Sequence, residues 1–181
     1  MVGPLKLGAQ ALAVAAVGVL ASMLVWHLTH QTPPPKVGAH APAFSLPRLD
    51  GSGGVSLSSL RGKTVVLNFF ASWCSPCKRE APDLESYWQR YRAAGVVVLG
   101  VDSGDTKSAA RSFLTAHGVT YPIVFDPNAT LAYGPYALPG MPVTYVLNRQ
   151  GRIVGNPVVG PVSDKGYSSQ FTRELKAAMK A

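Results

Sequence analysis

The sequence predicts an α/β fold in which helices flank a mixed central β-sheet. Two apolar, β-prone runs at residues 64–70 and 96–101 are each followed by a helical pattern, over 75–94 and 107–117. This alternation of strands and helices favours a sheet of partly parallel strands covered by helices. With 181 residues and 47% hydrophobic content, the chain is long enough for one full core plus accessory segments, but not for two domains of ordinary size.

The N-terminal segment at 7–28 carries no charged side chain and is rich in Ala, Val and Leu. At about 1.5 Å per residue such a helix covers a hydrocarbon layer of roughly 30 Å, so a transmembrane anchor is predicted. A cleavable signal peptide is the alternative, because the run VLA ending at Ala21 forms a small-residue cleavage site. We favour the retained anchor, since the segment is longer than the usual signal core and has Trp26 near its outer end.

The predicted division of the chain has four parts. Residues 1–6 form a short cytoplasmic N-terminus, because Lys6 is the only basic residue ahead of the anchor and positive charge tends to stay inside. The anchor at 7–28 is followed by a linker at 29–36, whose three consecutive prolines favour a stiff polyproline II spacer. Residues 37–181 form the folded domain. This orientation predicts a single-pass protein of the cell membrane with its C-terminal domain outside the cytoplasm.

Composition argues against several classes of function. The net charge is +8, but the basic residues are scattered without a dense run or an aromatic platform, so we expect no nucleic-acid partner. Two cysteines separated by two residues cannot build the disulfide framework of a small secreted domain. We expect no metal site and no cofactor, since the histidines do not cluster into a zinc ligand set. The histidines are His27, His30, His40 and His117.

The individual elements follow from local patterns. Short β-prone runs at 43–46 and 55–57 flank the turn-rich sequence DGSGG, which predicts an N-terminal β-hairpin extension. The run TVVLNFF at 64–70 is apolar along almost its whole length, as is typical of a central strand covered on both faces. The later elements, in chain order, are a helix at 75–94, a strand at 96–101, a helix at 107–117, a short strand at 123–125, an antiparallel pair at 143–147 and 152–154, and a closing helix at 168–179.

The two cysteines lie where the apolar strand meets the first of these helices. Unpaired N–H groups and the dipole at a helix N-terminus stabilise a thiolate, so Cys74 is the candidate nucleophile. Cys77, one turn further into the helix, is the candidate resolving thiol. Pro76 fits the first helical turn, and Ser75 and Pro76 between the cysteines are expected to tune the redox potential.

The sequence NFFASWCSPCKREAP at 68–82, together with GMPVT at 140–144, resembles the TlpA/ResA/CcmG group of extracytoplasmic thioredoxin-like proteins. The resemblance covers residues 37–181 and implies a thioredoxin-like fold with a redox-active Cys74–Cys77 disulfide. It also implies a cis Met141–Pro142 peptide bond beside the cysteines. The backbone of Met141 would then bind an extended substrate segment facing Cys74, in a loop completed by Pro142 and Val143.

Three further residues are candidates for supporting roles. Asn68 stands where cytoplasmic thioredoxins usually carry a buried aspartate, and it can hydrogen-bond but cannot act as a general base. Glu80 matches the helix glutamate of the ResA-like pattern and could relay a proton, although a solvated acid in the first turns of the helix is an equal alternative. Trp73 is expected either to cover the disulfide or simply to pack.

One segment departs from the family pattern. Residues 132–139, AYGPYALP, are richer in proline and tyrosine than the family's short approach to the cis proline. We expect partner recognition to differ here.

The resemblance implies a thiol–disulfide oxidoreductase, and we expect a dithiol reductant of protein disulfides. Its implied partners are oxidised extracytoplasmic proteins, with apocytochrome c as a candidate substrate in cytochrome c maturation, and a membrane electron donor of the DsbD/CcdA type. A disulfide oxidase or isomerase remains open, because the same residues serve either direction of electron flow. A peroxiredoxin-like antioxidant enzyme is disfavoured by Ala71, which stands where such enzymes carry threonine. An anchored binding module with a structural disulfide is the non-enzymatic alternative.

Overall fold

The computed structural model describes the backbone of residues 4–29 and 33–181, and the side chains of 12–26 and 33–181. The chain divides into two compact units, Met1–Thr32 and Pro33–Ala181. Residues 1–3 of the predicted cytoplasmic N-terminus and 30–32 of the predicted linker lie outside the described residues.

The described part of the first unit is one helix, α1, at Pro4–Thr29. The helix predicted for this part of the chain is therefore present. Among the residues that the structure describes, no helix is both long enough and apolar enough to cross a membrane. The transmembrane assignment of 7–28, part of which lies outside the described side chains, stays a prediction.

The second unit begins with the predicted hairpin. Strands β1 (Ser45–Pro47) and β2 (Gly54–Ser56) pair antiparallel and form a small sheet of their own. The N–H of Leu49, in the hairpin turn, donates to the carbonyl of Ile123 at 3.0 Å. This bond fastens the extension to the edge of the main sheet.

The main sheet has five strands and mixed direction, as predicted. β3 lies at its centre, parallel to β4 on one side and antiparallel to β6 on the other. β5 extends the parallel side and β7 the antiparallel side. The strands are β3 (Thr64–Phe70), β4 (Val96–Ser103), β5 (Ile123–Asp126), β6 (Val143–Leu147) and β7 (Val158–Val159).

Two apolar clusters cover the two faces of this sheet. One joins alternate residues of β3 to the buried faces of three helices, α2 (Ser75–Tyr91), α3 (Lys107–His117) and α5 (Ser168–Lys180). The other lies against the remaining residues of β3 and is closed by α4 (Thr130–Tyr133) and the chain that follows it. All residues of β3 are consequently buried, which places its C-terminal end, and the cysteines after it, at the edge of a rigid layer.

The structure corrects two of the predicted elements. The strand partner of β6 on its outer side is β7, whereas Ile153 of the predicted strand 152–154 makes only an isolated bridge to Leu147. Gly155, with φ of 71°, turns the chain away immediately afterwards. The helix predicted to run to residue 94 changes from α to 3-10 geometry at Arg92 before Gly95 ends it.

The unusual segment at 132–139 is mostly structural. The ring of Tyr136 is fully buried, lies 4.7 Å from the ring of Phe69, and its hydroxyl donates to the carbonyl of Pro42 at 3.1 Å. Tyr133 is exposed, and Pro139 lies at the surface near the cis proline. The expectation of altered partner recognition therefore applies to the exposed residues of this segment, Tyr133, Pro135 and Pro139.

Candidate active site

The redox motif is placed by the junction between β3 and α2. After β3 the chain makes a tight turn in which the N–H of Cys74 donates to the carbonyl of Ala71 at 3.1 Å. Cys74 is the N-cap residue of α2, and its sulfur accepts a hydrogen bond from the N–H of Cys77 at 3.2 Å. In the reduced protein the same N–H and the helix N-terminus stabilise a thiolate on Cys74, because both place positive charge beside the sulfur.

The two cysteines form a disulfide with an S–S distance of 2.06 Å. Cys74 keeps 5% of its surface exposed and Cys77 only 1%. A thiol attacked by an external protein must be reached from solvent, so the more exposed Cys74 suits the role of nucleophile. Cys77 suits attack on a neighbouring sulfur from within the protein.

Glu80 is a buried acid directly behind the motif. Its side chain is 1% exposed, which excludes the solvated acid considered from the sequence. One carboxylate oxygen accepts from the side-chain amide of Asn68 at 2.8 Å, and the other accepts from the N–H of Val162 at 3.1 Å. Burial raises the pKa of Glu80 to about 7, and these two hydrogen bonds oppose the rise.

Glu80 and Cys77 are neighbours on one face of α2, because they are three residues apart in the helix and both are buried. A carboxyl group whose pKa is near neutrality can take a proton from a thiol and return it. Asn68 also donates to the hydroxyl of Thr144 at 2.9 Å, so one amide ties α2 to both β3 and β6.

Trp73 and Ser75 lie on the outside of the motif. Trp73 is 59% exposed, and its indole N–H donates to the carbonyl of Gly104 at 3.1 Å. The ring is thus held at its edge by the loop after β4 instead of being packed in the core. Ser75 is exposed at the first position of α2.

A shallow groove of about 240 Å³ runs alongside the motif. Pro76, from between the cysteines, forms part of one wall, and Met141 and Pro142 form part of the other. The Met141–Pro142 peptide bond is cis, in agreement with the expectation from the sequence. The side chain of Val143 does not line the groove, because it is 1% exposed in the core, and its predicted part in substrate binding stays a prediction.

Two acids beside the motif were not identified from the sequence. Asp105 accepts hydrogen bonds from the N–H of Ser72 and of Thr106, both at 2.7 Å. Burial opposes ionisation of Asp105, but its hydrogen bonds, led by that from Ser72, lower the pKa overall. Asp105 therefore holds the turn before Trp73 as a carboxylate.

Asp102 is the second of these acids. Its side chain is fully buried, and neither oxygen receives a hydrogen bond from the described residues. Burial, and then the facing charge of Asp105, raises the pKa of Asp102 to about 8. The raised pKa favours the neutral form of Asp102, which avoids a second negative charge beside Asp105. A signal was present, since Asp102 directly follows the strand predicted at 96–101, next to the predicted strand that precedes the cysteines.

No cluster of three or more His, Cys, Asp or Glu side chains that could hold a metal occurs within 12–26 and 33–181. The side chains of His27 and His30 lie outside those ranges.

The relatives found by comparison with known proteins agree with the family resemblance of the sequence. Residues 37–155 match the model of the AhpC/TSA family. The chain is 34% identical over 117 residues to the thiol-disulfide oxidoreductase ResA of Bacillus subtilis, covering 65% of this chain and 64% of that protein. It is 30% identical over 145 residues to ResA of Halalkalibacterium halodurans, covering 80% of this chain and 78% of that protein.

Among solved structures, this chain is similar to a thiol:disulfide interchange protein of the thioredoxin family from Chlorobium tepidum. The TM-score is 0.66 with 28% sequence identity, and the match covers 80% of this chain and 99% of that one.

Proposed function

This chain belongs to the AhpC/TSA family and is related to thiol–disulfide oxidoreductases named ResA, and on that premise we propose that it reduces disulfide bonds of other proteins. The observation that carries the proposal is the position of the Cys74–Cys77 disulfide. Cys74 caps α2, the helix that supplies Pro76 to one wall of an open groove, and the cis Pro142 lies on the other wall.

The reaction is two successive thiol–disulfide exchanges. The thiolate of Cys74 attacks one sulfur of a substrate disulfide, and the other substrate sulfur leaves as a thiolate that takes a proton from solvent. Cys77 then loses its proton, and its thiolate attacks the sulfur of Cys74. The substrate's second sulfur leaves as a thiolate and takes up a proton that balances the one Cys77 released, so the substrate gains two electrons and two protons while Cys74 and Cys77 become a disulfide.

Glu80 is the proposed acceptor of the proton of Cys77. It is the buried carboxylate next to Cys77 on α2, and its pKa of about 7 matches a base that works near neutrality. Asn68 orients this carboxylate through the 2.8 Å hydrogen bond.

The test is reduction of a protein disulfide together with the equilibrium potential of the Cys74–Cys77 pair. We expect a potential on the thioredoxin side of the scale, near about −270 mV. A value near about −120 mV, that of DsbA, would instead assign the chain as an oxidase.

Trapping in cells distinguishes an enzyme from a binding module. The Cys77→Ser variant cannot complete the second exchange, so it is expected to accumulate mixed disulfides with substrate proteins. Cys74→Ser is the matched control, because it has no nucleophile and should trap none. Equal yields of mixed disulfides from both variants would indicate that the Cys74–Cys77 disulfide is only structural.

Membership of the AhpC/TSA family suggests a peroxidase as an alternative function. If the purified, reduced protein consumed hydrogen peroxide rapidly and lost this activity in Cys74→Ser, the reductase proposal would be overturned. Ala71, where peroxiredoxins carry threonine, supports the expectation that it does not.

We further propose that residues 7–28 anchor the chain in the cell membrane and that 37–181 face the outside. The described side chains of α1, at 12–26, include no charged residue. Apocytochrome c is the proposed substrate and a DsbD/CcdA-type membrane protein the proposed electron donor. Protease treatment of spheroplasts tests the topology, since an external domain is digested without lysis.

A further inference from the structure

The groove beside the redox motif has two walls of different origin. Pro76 and Arg79 come from the start of α2, and they are neighbours on one face because they lie three residues apart in the helix. The opposite wall is formed by two segments that carry no charge, 139–142 and 159–161. Arg79 is therefore the one charged residue lining this groove.

The guanidinium of Arg79 has no partner in the folded domain. Among residues 12–26 and 33–181, only Arg48 and Asp50 form an ion pair, and no hydrogen bond involves the Arg79 side chain. Arg79 is exposed, whereas the proline and valine side chains around it present apolar surface. A positive charge on an otherwise apolar groove is complementary to a segment that carries a negative charge at one position.

The groove also offers unpaired backbone groups. The N–H and the carbonyl of Met141 make no hydrogen bond within the described domain, whereas the carbonyl of the neighbouring Pro142 already accepts from the N–H of Gly160 at 2.9 Å. An extended segment that enters the groove can thus pair with Met141 in the manner of an added strand.

We propose that the groove selects extended, disulfide-bearing segments that carry an Asp or Glu near the attacked cysteine, and that Arg79 reads this acid. The inference rests on the proposed reductase function and names its substrate class. Arg79 lies five residues beyond Cys74, or about 7.5 Å along the helix axis at about 1.5 Å per residue, and a strand rises about 3.3 Å per residue. The acid is therefore expected two or three residues from the cysteine.

The full chain in detergent is tested with disulfide-linked model peptides that differ only two and three residues from the cysteine. Asp, Ala or Lys is placed there, and kcat/KM for reduction is measured at low ionic strength. We expect wild type to prefer Asp over Lys by about threefold to tenfold, and the preference to shrink with added salt, since the pair is partly exposed. Arg79→Ala should abolish the preference and Arg79→Glu should reverse it.

Lys78→Glu is the matched control. It makes the same change of charge one residue away, but Lys78 lines a separate depression with Ser72 and Phe113. The preference for Asp should persist in this variant. If Lys78→Glu reverses the preference as fully as Arg79→Glu, the effect belongs to the general field of the protein and the assignment to Arg79 is overturned.

Failure of the inference differs from failure of the proposed function. If all peptides are reduced at similar rates, the reductase function is supported and the proposed preference for an acidic residue is overturned. If none is reduced, the reductase proposal is overturned, and the proposed preference for an acidic residue is then tested by peptide binding. Peptides with serine in place of cysteine are titrated into the protein while the amide NMR signals of Gly140 and Met141 are followed. Equal affinity for the Asp and Lys peptides would overturn the proposed preference.

Discussion

Glu80 makes the stability of the domain depend on pH. Its pKa is raised from 4.5 to about 7 in the folded protein, so between these values the folded state binds more protons than the unfolded state. Stability contributed by the neutral form is therefore full below about pH 4.5 and is lost as the pH rises to about 7. A difference of this size corresponds to about 3 kcal/mol.

Glu80→Gln is expected to remove this part of the pH dependence. The oxidised wild-type protein should lose more of its free energy of unfolding between pH 5 and pH 8 than the variant does, because the variant has no charge to bury. Urea unfolding at both pH values measures the difference. Parallel pH profiles for the two proteins would contradict the assignment of a buried, neutral-prone Glu80.

Asp105 is expected to stabilise the turn that precedes Trp73. Asp105→Ala removes the acceptor for the N–H of Ser72, a bond of 2.7 Å to a charged group. Such bonds contribute about 1.5–3 kcal/mol, so the variant should be less stable by up to that amount. The specific measurement is hydrogen exchange of the Ser72 amide, which should accelerate in the variant. Unchanged protection of Ser72 would show that another group holds the turn.

At the scale of elements, β4 depends on a glycine at Gly100, which pairs with Asn68 of the parallel neighbour β3. A Cβ at Gly100 would collide with Cδ1 of Ile123 and lie 3.0 Å from Cε1 of Phe70, the last residue of β3. Gly100→Ala is expected to destabilise the domain by about 1–3 kcal/mol, because overpacking shifts both neighbours. Gly166→Ala, where a Cβ meets no atom within 4 Å, is the control and should be nearly neutral. Thermal unfolding of the two variants checks the contrast.

Elements with a strong local pattern were predictable, and those set by distant partners were not. β3, α3 and β6 have the predicted bounds, because each is a continuous apolar run or an amphipathic segment with clear end signals. α4 escaped prediction because it has only four residues, and the side chain of Asp126 from the preceding strand accepts hydrogen bonds from its first N–H groups. β7 exists through its pairing with Val143, which no local pattern encodes.

The residues of the active site also divide into those that a local pattern reveals and those whose role depends on distant partners. Cys74 and Cys77 were identifiable from their spacing and from the strand ahead of them. The position of Glu80 remained open because burial of a carboxylate depends on its partners, and these come from β3 and from the distant Val162. Asp105 acts on the turn before Trp73 across a gap of 33 residues, which no motif reveals.

At the scale of the molecule, the resemblance to the ResA-like group is confirmed by the relatives, and the fold is confirmed by the mixed five-stranded sheet. The assignment to the membrane rests on residues whose side chains are only partly described, and it stays a prediction. The fold could be predicted because two of its parts carry distinctive residues. These are the strand–helix junction at the cysteines and the cis-proline loop, which lie far apart in the sequence.

The net charge of +8 predicts how the molecule meets its substrates. Reduction of an acidic disulfide-bonded protein should slow as ionic strength rises from 20 to 200 mM, roughly severalfold, because salt screens long-range attraction. Stopped-flow rates with an acidic and a neutral substrate measure this, and the neutral substrate should show little change. Arg79→Ala should keep most of the salt dependence, since it removes one charge of many. Equal salt responses for both substrates would contradict steering by the overall charge.

The amide of Asn68 has a consequence for how the interior can accommodate a proton. Its NH₂ group donates both to Glu80 and to the hydroxyl of Thr144. When Glu80 takes a proton, its new O–H must donate, and a half-turn of the amide presents the carbonyl oxygen of Asn68 to it. The hydroxyl of Thr144 then reverses from acceptor to donor on that same oxygen. An ionised aspartate at this position could only accept, and so would match one state alone. A side chain that never titrates can thus act as donor or acceptor toward the buried carboxyl of Glu80.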